Sequence, residues 1–212
     1  VLAVCNTNSS TIPRESDAVI YTHAGPEIAV ASTKALLTQI VATFLIGLHL
    51  GEVRGTLKSS EVSAIYNDML ELPAKLEQIL ETVEPLRELT RKFAGNNTVL
   101  FLGRHVGFPV ALEGALKLKE LAYIHAEGFA GGELKHGPIA LIEEGTPVIA
   151  IVPNTHEHGL DEKMLSNIQE VRARGAKVIA IAAEGIEIPG AAYVIRIPSS
   201  PQMLQPVLAT VP

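Results

Sequence analysis

The side chains best suited to acid–base chemistry are concentrated in one segment, residues 111–142. Within it, Glu113, Lys117 and Glu120 are spaced so that a helix of about 3.6 residues per turn places all three on one narrow stripe. The rest of this helix is mostly apolar, which is typical of a buried helix. Because buried charges are costly unless they are paired or used, Glu120 is the best candidate general base. The alternative is an ion pair between Lys117 and Glu120 on a partly solvated face.

A second acid–base candidate lies in the glycine-rich loop predicted at residues 128–137. His136 occurs there in the sequence E-L-K-H-G-P. Loops that contain histidine and glutamate among glycines are more often functional than part of the core. A lone loop histidine is structural or exposed at least as often as it is catalytic. His125 and Glu127, in the sequence H-A-E, lack the spacing of a known metal motif, so we expect no metal and no cofactor.

The elements that must position these residues alternate between apolar strands and helices. Strands rich in valine and isoleucine, without polar alternation, predict a parallel sheet covered on both faces by helices. The predicted strands span residues 1–4, 18–21, 99–102, 148–152, 178–181 and 193–197. Helices are predicted at 34–50, 60–72, 73–93 and 161–174, from 201 onward, and around the charged stripe. Arg104 and His105 directly follow one strand, at the edge where open α/β sheets bind ligands.

The helix predicted from Lys34 offers a possible anion site. Ser32 and Thr33 stand at its start, where backbone N–H groups and hydroxyls can hold an anion. A cap without a ligand is the simpler interpretation of Ser32. The apolar run at 35–50 is interrupted by polar residues and is too short to span a membrane, so we predict a buried core helix. GxGxxG, Walker A and GxSxG motifs are absent, which disfavours nucleotide binding by those routes and a serine hydrolase.

Composition excludes several classes of function. The 212 residues are 47% apolar and 19% charged, which suits a folded protein with a sizeable core. A net charge of −6 and only 4% aromatic residues argue against nucleic-acid or membrane-surface partners. The single cysteine, Cys5, cannot form an internal disulfide and fits a cytoplasmic location. The sequence from Val1 lacks the basic segment with which a secretory signal begins, so no such signal is predicted there.

Five motifs together resemble one enzyme family. They are V-A-S-T-K-A (30–35), L-G-R (102–104), A-L-E-G-A-L-K-L-K-E (111–120), Y-I-H-A-E (123–127) and G-E-L-K-H-G-P (132–138). In this order they resemble the isomerase half of the glutamine–fructose-6-phosphate aminotransferases (isomerizing), also called glucosamine-6-phosphate synthases. The resemblance implies an α/β fold of tandem SIS (sugar isomerase) subdomains, each flavodoxin-like. Residues 1–57 would be the C-terminal part of an incomplete first subdomain, and 58–212 the second.

The resemblance also implies an activity and roles for individual residues. The family makes glucosamine 6-phosphate from fructose 6-phosphate and glutamine-derived ammonia, and its isomerase half opens the sugar ring and moves a proton between C1 and C2. Matched motif by motif, Glu120 would be the base, Lys117 its positive neighbour, and His136 a group that assists ring opening. Val30 and Ser32 would touch the sugar. A homodimer is implied, since in the family the loop with His136 reaches the neighbouring subunit's site.

Several parts of such an enzyme are expected outside these residues. They are the glutaminase domain, the loop that holds the sugar phosphate and the lysine that forms a Schiff base with the sugar. We therefore expect the chain as given to be inactive or nearly so. Two alternatives stay open: a stand-alone SIS deglycase of fructosamine phosphates, and a SIS sugar-phosphate sensor without chemistry.

Overall fold

Two separate parallel sheets organise the chain. A computed structural model describes residues 1–152, 154 and 159–212, and it divides into two compact units, Val1–Met69 and Leu70–Pro212. The boundary predicted between residues 57 and 58 precedes the helix Ser59–Leu70, whereas the observed units meet in the last turn of that helix. Most of this helix therefore belongs with the first unit, as judged by its contacts with other residues.

The first unit is small and built around two strands. Its elements are β1 (Leu2–Cys5), α1 (Thr11–Arg14), β2 (Ala18–Tyr21), α2 (Lys34–Val53) and α3 (Ser59–Leu70). The two strands pair in parallel, with Leu2 opposite Ala18. Both predicted strands and the predicted start of α2 at Lys34 are confirmed.

Helix α2 differs from its prediction as a buried core helix. Only Ala35, Ala42 and Leu48 are buried along this fully described helix. It packs against β1, and a sheet of two strands offers little surface on which a 20-residue helix can be buried. By length and composition alone α2 could cross a membrane, a test that the core helices of ordinary globular proteins also pass.

The second unit is a doubly wound α/β layer structure. Its helices and strands, in chain order, are α4 (Leu72–Leu80), α5 (Val83–Arg91), β3 (Thr98–Gly103), α6 (Gly107–Ala122), β4 (His125–Ala130), β5 (Pro147–Val152), α7 (Leu160–Ala173), β6 (Lys177–Ala183), β7 (Tyr193–Ile197) and α8 (Gln205–Ala209). In the described part of this unit, five parallel strands form one sheet in the order β4-β3-β5-β6-β7. The predicted parallel sheet is confirmed.

The strand order places the helices on both faces. Helix α6 connects β3 to β4, and α7 connects β5 to β6, in opposite directions along the sheet. Because such crossovers are right-handed, α6 and α7 cover opposite faces. Side chains such as Leu100, Val148 and Ala180 are almost fully buried between these layers. The carboxyl ends of β3 and β5 form the point where the strand order reverses.

Two predictions for this unit are wrong. Residues 125–130 form the edge strand β4, where a glycine-rich loop was predicted from residue 128. Its sequence, H-A-E-G-F-A, is polar and contains Gly128, so it lacks the apolar pattern of the other strands. The single helix predicted at 73–93 is two helices, because the chain breaks at Glu81 and Thr82 between α4 and α5.

Candidate active site

The predicted charged stripe on α6 is present as one ion cluster. Lys117 Nζ donates to Glu120 Oε2 at 2.7 Å and lies 3.4 Å from Glu113 Oε1. The side chains of Lys117 and Glu113 are each 24% exposed, and that of Glu120 is 40% exposed. The ion pair that was the alternative interpretation is therefore real. It leaves the Glu120 carboxylate accessible from solvent, and a substrate could reach it.

Helix α6 is seated on the sheet by its small side chains and is open on its leucine side. Ala111 and Ala115 are buried against the sheet, whereas Leu112 and Leu116 are 45% and 41% exposed. The predicted all-round burial is therefore wrong. The close seating depends on Gly103 at the end of β3, where an added Cβ would lie 2.1 Å from the backbone oxygen of Gly107.

The pKa of Lys117 reflects both its burial and its partners. Burial lowers this pKa, but the hydrogen bond and charge of Glu120 and the charge of Glu113 outweigh it, so the pKa lies above its ordinary value. The ammonium is thus held in its charged form beside Glu120. A fixed positive charge there can stabilise negative charge that develops next to the base.

His136 lies on a short 3₁₀ turn, Leu134–His136, after β4. Its Nδ1 is 2.8 Å from Glu133 Oε2, and its side chain is 71% exposed. The hydrogen-bond partner fixes one ring nitrogen and leaves the other available to a substrate. In the described part of the chain, no hydrogen bond or ion pair joins His136 to Glu120.

The structure adds residues that the sequence argument missed. Arg104 Nε donates to Asn167 Oδ1 at 2.8 Å, and Lys135 Nζ lies 2.9 Å from Glu170 Oε1. Burial raises the pKa of Glu170, but the bond and charge of Lys135, with donors from Ser166 and Asn167, hold it below its usual range. The first contact joins α7 to the segment after β3, and the second joins α7 to the loop that contains His136. Arg104 and Lys135 stood in recognised motifs, but nothing in the sequence indicated their partners on α7, of which Asn167 is 63 residues from Arg104.

In the first unit, Val30 and Ser32 lie in the loop between β2 and α2. Val30 is fully exposed, and Ser32 has a left-handed backbone with φ of 56°. The start of α2 is not capped by a hydroxyl. Glu27 accepts hydrogen bonds from the backbone N–H groups of Thr33 (3.1 Å) and Ala35 (3.0 Å), and these bonds hold its pKa below the usual range. A carboxylate of the chain itself therefore occupies the predicted anion position.

The remaining candidates form no second site. His125 Nε2 and Glu127 Oε1 are 3.9 Å apart and both side chains are largely exposed. Gln202 Nε2 donates to His105 Nδ1 at 3.0 Å, and Cys5 is a half-buried free thiol. Among the residues that the structure describes, no three histidine, cysteine, aspartate or glutamate side chains are grouped as metal ligands.

The fold and the charged stripe together define a flavodoxin-like α/β protein with a partly exposed ion cluster on the helix that follows its third strand. The SIS domain family model matches residues 1–47 and 92–212. The chain therefore belongs to the SIS domain family, and the predicted fold class is confirmed.

Similar proteins agree with the predicted resemblance. The chain is 62% identical over 215 residues to the glutamine–fructose-6-phosphate aminotransferase [isomerizing] of Streptomyces coelicolor, which it matches along 100% of its own length and 35% of that protein. The Corynebacterium glutamicum protein of the same name is 58% identical, with 34% covered. The C-terminal domain of glucosamine-fructose-6-phosphate aminotransferase from Francisella tularensis has a TM-score of 0.93 and 36% identity, and 99% of this chain covers 59% of that one. The chain spans about a third of the length of these curated relatives.

Proposed function

We propose that this chain is the isomerase part of an enzyme that makes glucosamine 6-phosphate from fructose 6-phosphate and glutamine-derived ammonia. The observation that supports this most strongly is the Lys117–Glu120 pair, in which a half-exposed carboxylate is held 2.7 Å from a charged ammonium. The similarity to aminotransferases of this name favours this substrate over other sugar phosphates.

In the proposed reaction Glu120 transfers a proton within the open-chain sugar imine. Its carboxylate removes a proton from C1, a C1=C2 double bond forms, and the electrons of the C2=N bond move to the nitrogen, which takes up a proton. The protonated Glu120, which can exchange its proton with water, then donates to C2 while the C1 hydroxyl loses its proton and becomes the aldehyde carbonyl, which yields the amino aldose. Lys117 lies beside the negative charge that develops during the transfer and stabilises it.

His136 acts earlier, when the sugar ring opens. Ring opening removes the proton of the anomeric hydroxyl and protonates the ring oxygen. An exposed imidazole with one nitrogen bonded to Glu133 can exchange a proton at its other nitrogen. Val30 and Ser32 contact the sugar in this proposal. The working protein is a cytoplasmic homodimer that also contains a glutaminase domain.

Proton exchange at C1 tests this function. The intact protein would be incubated with fructose 6-phosphate in deuterated water, and loss of the C1 proton signal followed by NMR. We expect Glu120→Gln to slow exchange by about 100-fold or more, since general-base catalysis contributes about that much. Exchange unaffected by Glu120→Gln would overturn the proposal and favour a sugar-phosphate sensor.

A further inference from the structure

We propose that a polar stripe on α7 positions the loop that contains His136. The stripe consists of Asn167 and Glu170, on α7, and Arg174, the residue that directly follows the helix, and the loop comprises residues 131–141. Asn167 and Glu170 are three residues apart and so share one face of α7. Each of them meets a different part of the loop. This inference rests on the proposed function of His136 and adds positioning residues to it.

The first attachment lies at the beginning of the loop. Asn167 is only 4% exposed, and both polar atoms of its side chain have partners: Oδ1 accepts from Arg104 Nε, and Nδ2 lies 3.4 Å from Glu170 Oε2. Gly131 packs directly on this pair, because an added Cβ would lie 2.6 Å from Asn167 Oδ1. The backbone N–H of Gly131 also donates to Gly103 at 2.8 Å. The loop therefore leaves β4 along a fixed path.

The second attachment is next to His136 in sequence. Glu170 Oε1 holds Lys135 Nζ at 2.9 Å, and Glu170 also accepts from Ser166 Oγ at 3.2 Å. The Glu170 side chain is 22% exposed, whereas that of Lys135 is 67% exposed. Glu170 is thus the more buried and more fixed partner of the pair, and it holds the exposed Lys135 side chain against α7.

The third attachment follows His136. Arg174 Nη1 donates to the backbone oxygen of Ile139 at 3.2 Å, in the 3₁₀ turn Pro138–Leu141. Leu134, directly before the second attachment, is completely buried, whereas His136, between the second and third attachments, is exposed. The loop is therefore held on both sides of the histidine, while the imidazole itself is left in solvent.

This arrangement matters because His136 has little support of its own. Its hydrogen-bond partner, Glu133, is in the same loop and is 68% exposed. A catalytic group must be held to within a fraction of an ångström, and a displacement of about 1 Å can cost about 100-fold in rate. The stripe on α7 supplies the fixed reference that the exposed pair His136–Glu133 lacks.

Hydrogen exchange in this chain tests the attachment itself. In Glu170→Gln and in Lys135→Gln, we expect the amides of His136 and Ala140 to exchange about fivefold faster or more. Glu184→Gln, which changes an exposed glutamate outside the stripe, should leave these amides unchanged. Because Lys135 is exposed, its variant keeps the test valid should Glu170→Gln fold poorly. If the loop amides exchange at the same rate in Glu170→Gln and Lys135→Gln as in the control Glu184→Gln, the proposal is overturned.

Kinetics of the intact protein test the positioning role. Glu170→Gln should lower kcat for ring opening about tenfold or more and leave KM for fructose 6-phosphate within about twofold. The swapped pair, Lys135→Glu with Glu170→Lys, should restore kcat to within about threefold. A swapped pair that stays as slow as Glu170→Gln, or an effect on KM alone, would contradict the positioning role.

The variant Glu120→Gln separates this inference from the proposed function. If both Glu120→Gln and Glu170→Gln are fully active, the proposed function fails. If Glu170→Gln is fully active and Glu120→Gln is not, only the positioning role fails.

Discussion

The two proposed acid–base groups of the second unit, Glu120 and His136, are positioned in different ways. Glu120 lies on α6, a helix of 16 residues whose own Lys117 supplies its ionic partner and also pairs with Glu113. His136 lies on a 3₁₀ turn of three residues, and its loop is attached from outside by side chains of α7. The first arrangement is local in sequence, and the second depends on contacts between distant segments.

This difference predicts two kinds of sensitivity. The stripe on α6 should keep its internal contacts as long as the helix is folded and should be displaced as a unit when the helix is moved from the sheet, because its members move together. The histidine loop should lose its function when single attachments are removed, while the sheet stays folded. Changes that affect one region and spare the other test this division.

The largest effect is expected where α6 meets the sheet. Gly103→Ala would place a Cβ 2.1 Å from the Gly107 backbone oxygen, so either the strand or the helix must shift. We expect the free energy of unfolding of the second unit to fall by about 3 kcal/mol or more. Urea unfolding followed by circular dichroism measures it. Gly132→Ala, in the histidine loop, is the control, because its Cβ would meet only Arg104 Nη1 at 3.6 Å. Equal urea midpoints for the two variants would contradict the close packing of α6 on the sheet.

The next effect separates the two chemical steps. His136→Asn should slow turnover of fructose 6-phosphate about 100-fold in the intact protein, since ring opening loses its proton carrier. An analogue without the 5-hydroxyl cannot close the furanose ring and needs no ring opening. C1 exchange of that analogue should stay within about threefold of the unchanged protein. An equal defect with both compounds would show that the histidine does not act in ring opening alone.

A smaller effect is expected on the stripe at high pH. The pKa of Lys117 is raised in the folded protein, so its ion pairs stabilise the fold fully below the unfolded pKa of about 10.4 and are lost as pH rises through the folded pKa. We expect a loss of under about 1 kcal/mol, because the cluster is partly solvated. Urea midpoints measured above pH 10 should fall in the unchanged chain and fall less in Lys117→Met.

The smallest effect has the opposite pH dependence and belongs to the loop. The pKa of Glu170 is lowered on folding, so its contribution is present above the unfolded pKa of about 4.3 and is lost as pH falls through the folded pKa. Loop amides, measured by hydrogen exchange, should lose protection by a few-fold in acid. In Glu170→Gln this acid step should be absent. A step of equal size in that variant would assign it to another carboxylate.

The sequence predicted the stripe because helical periodicity is a local property. Glu113, Lys117 and Glu120 meet within two turns of one helix, and no other element is needed to bring them together. The parallel sheet was predictable for the same reason, since buried strands such as Pro147–Val152 are continuous apolar runs.

The features that were missed are those that depend on tertiary context. The edge strand His125–Ala130 is polar and is recognised only by its pairing with β3. The capping of α2 by Glu27, from outside the helix, required a loop conformation that composition does not specify. The pair Arg104–Asn167 joins segments that only the fold brings together, so no spacing rule could have found it.

The central claim is that Glu120, and not its neighbour Glu113, is the base. Both carboxylates lie on one stripe and contact the same Lys117, so Glu120→Gln and Glu113→Gln form a matched pair. The direct measurement is the ratio of their C1 proton-exchange rates with fructose 6-phosphate in the intact protein. We expect Glu113→Gln to exchange about 100-fold faster or more than Glu120→Gln. A ratio near one, or a slower Glu113→Gln, would contradict it.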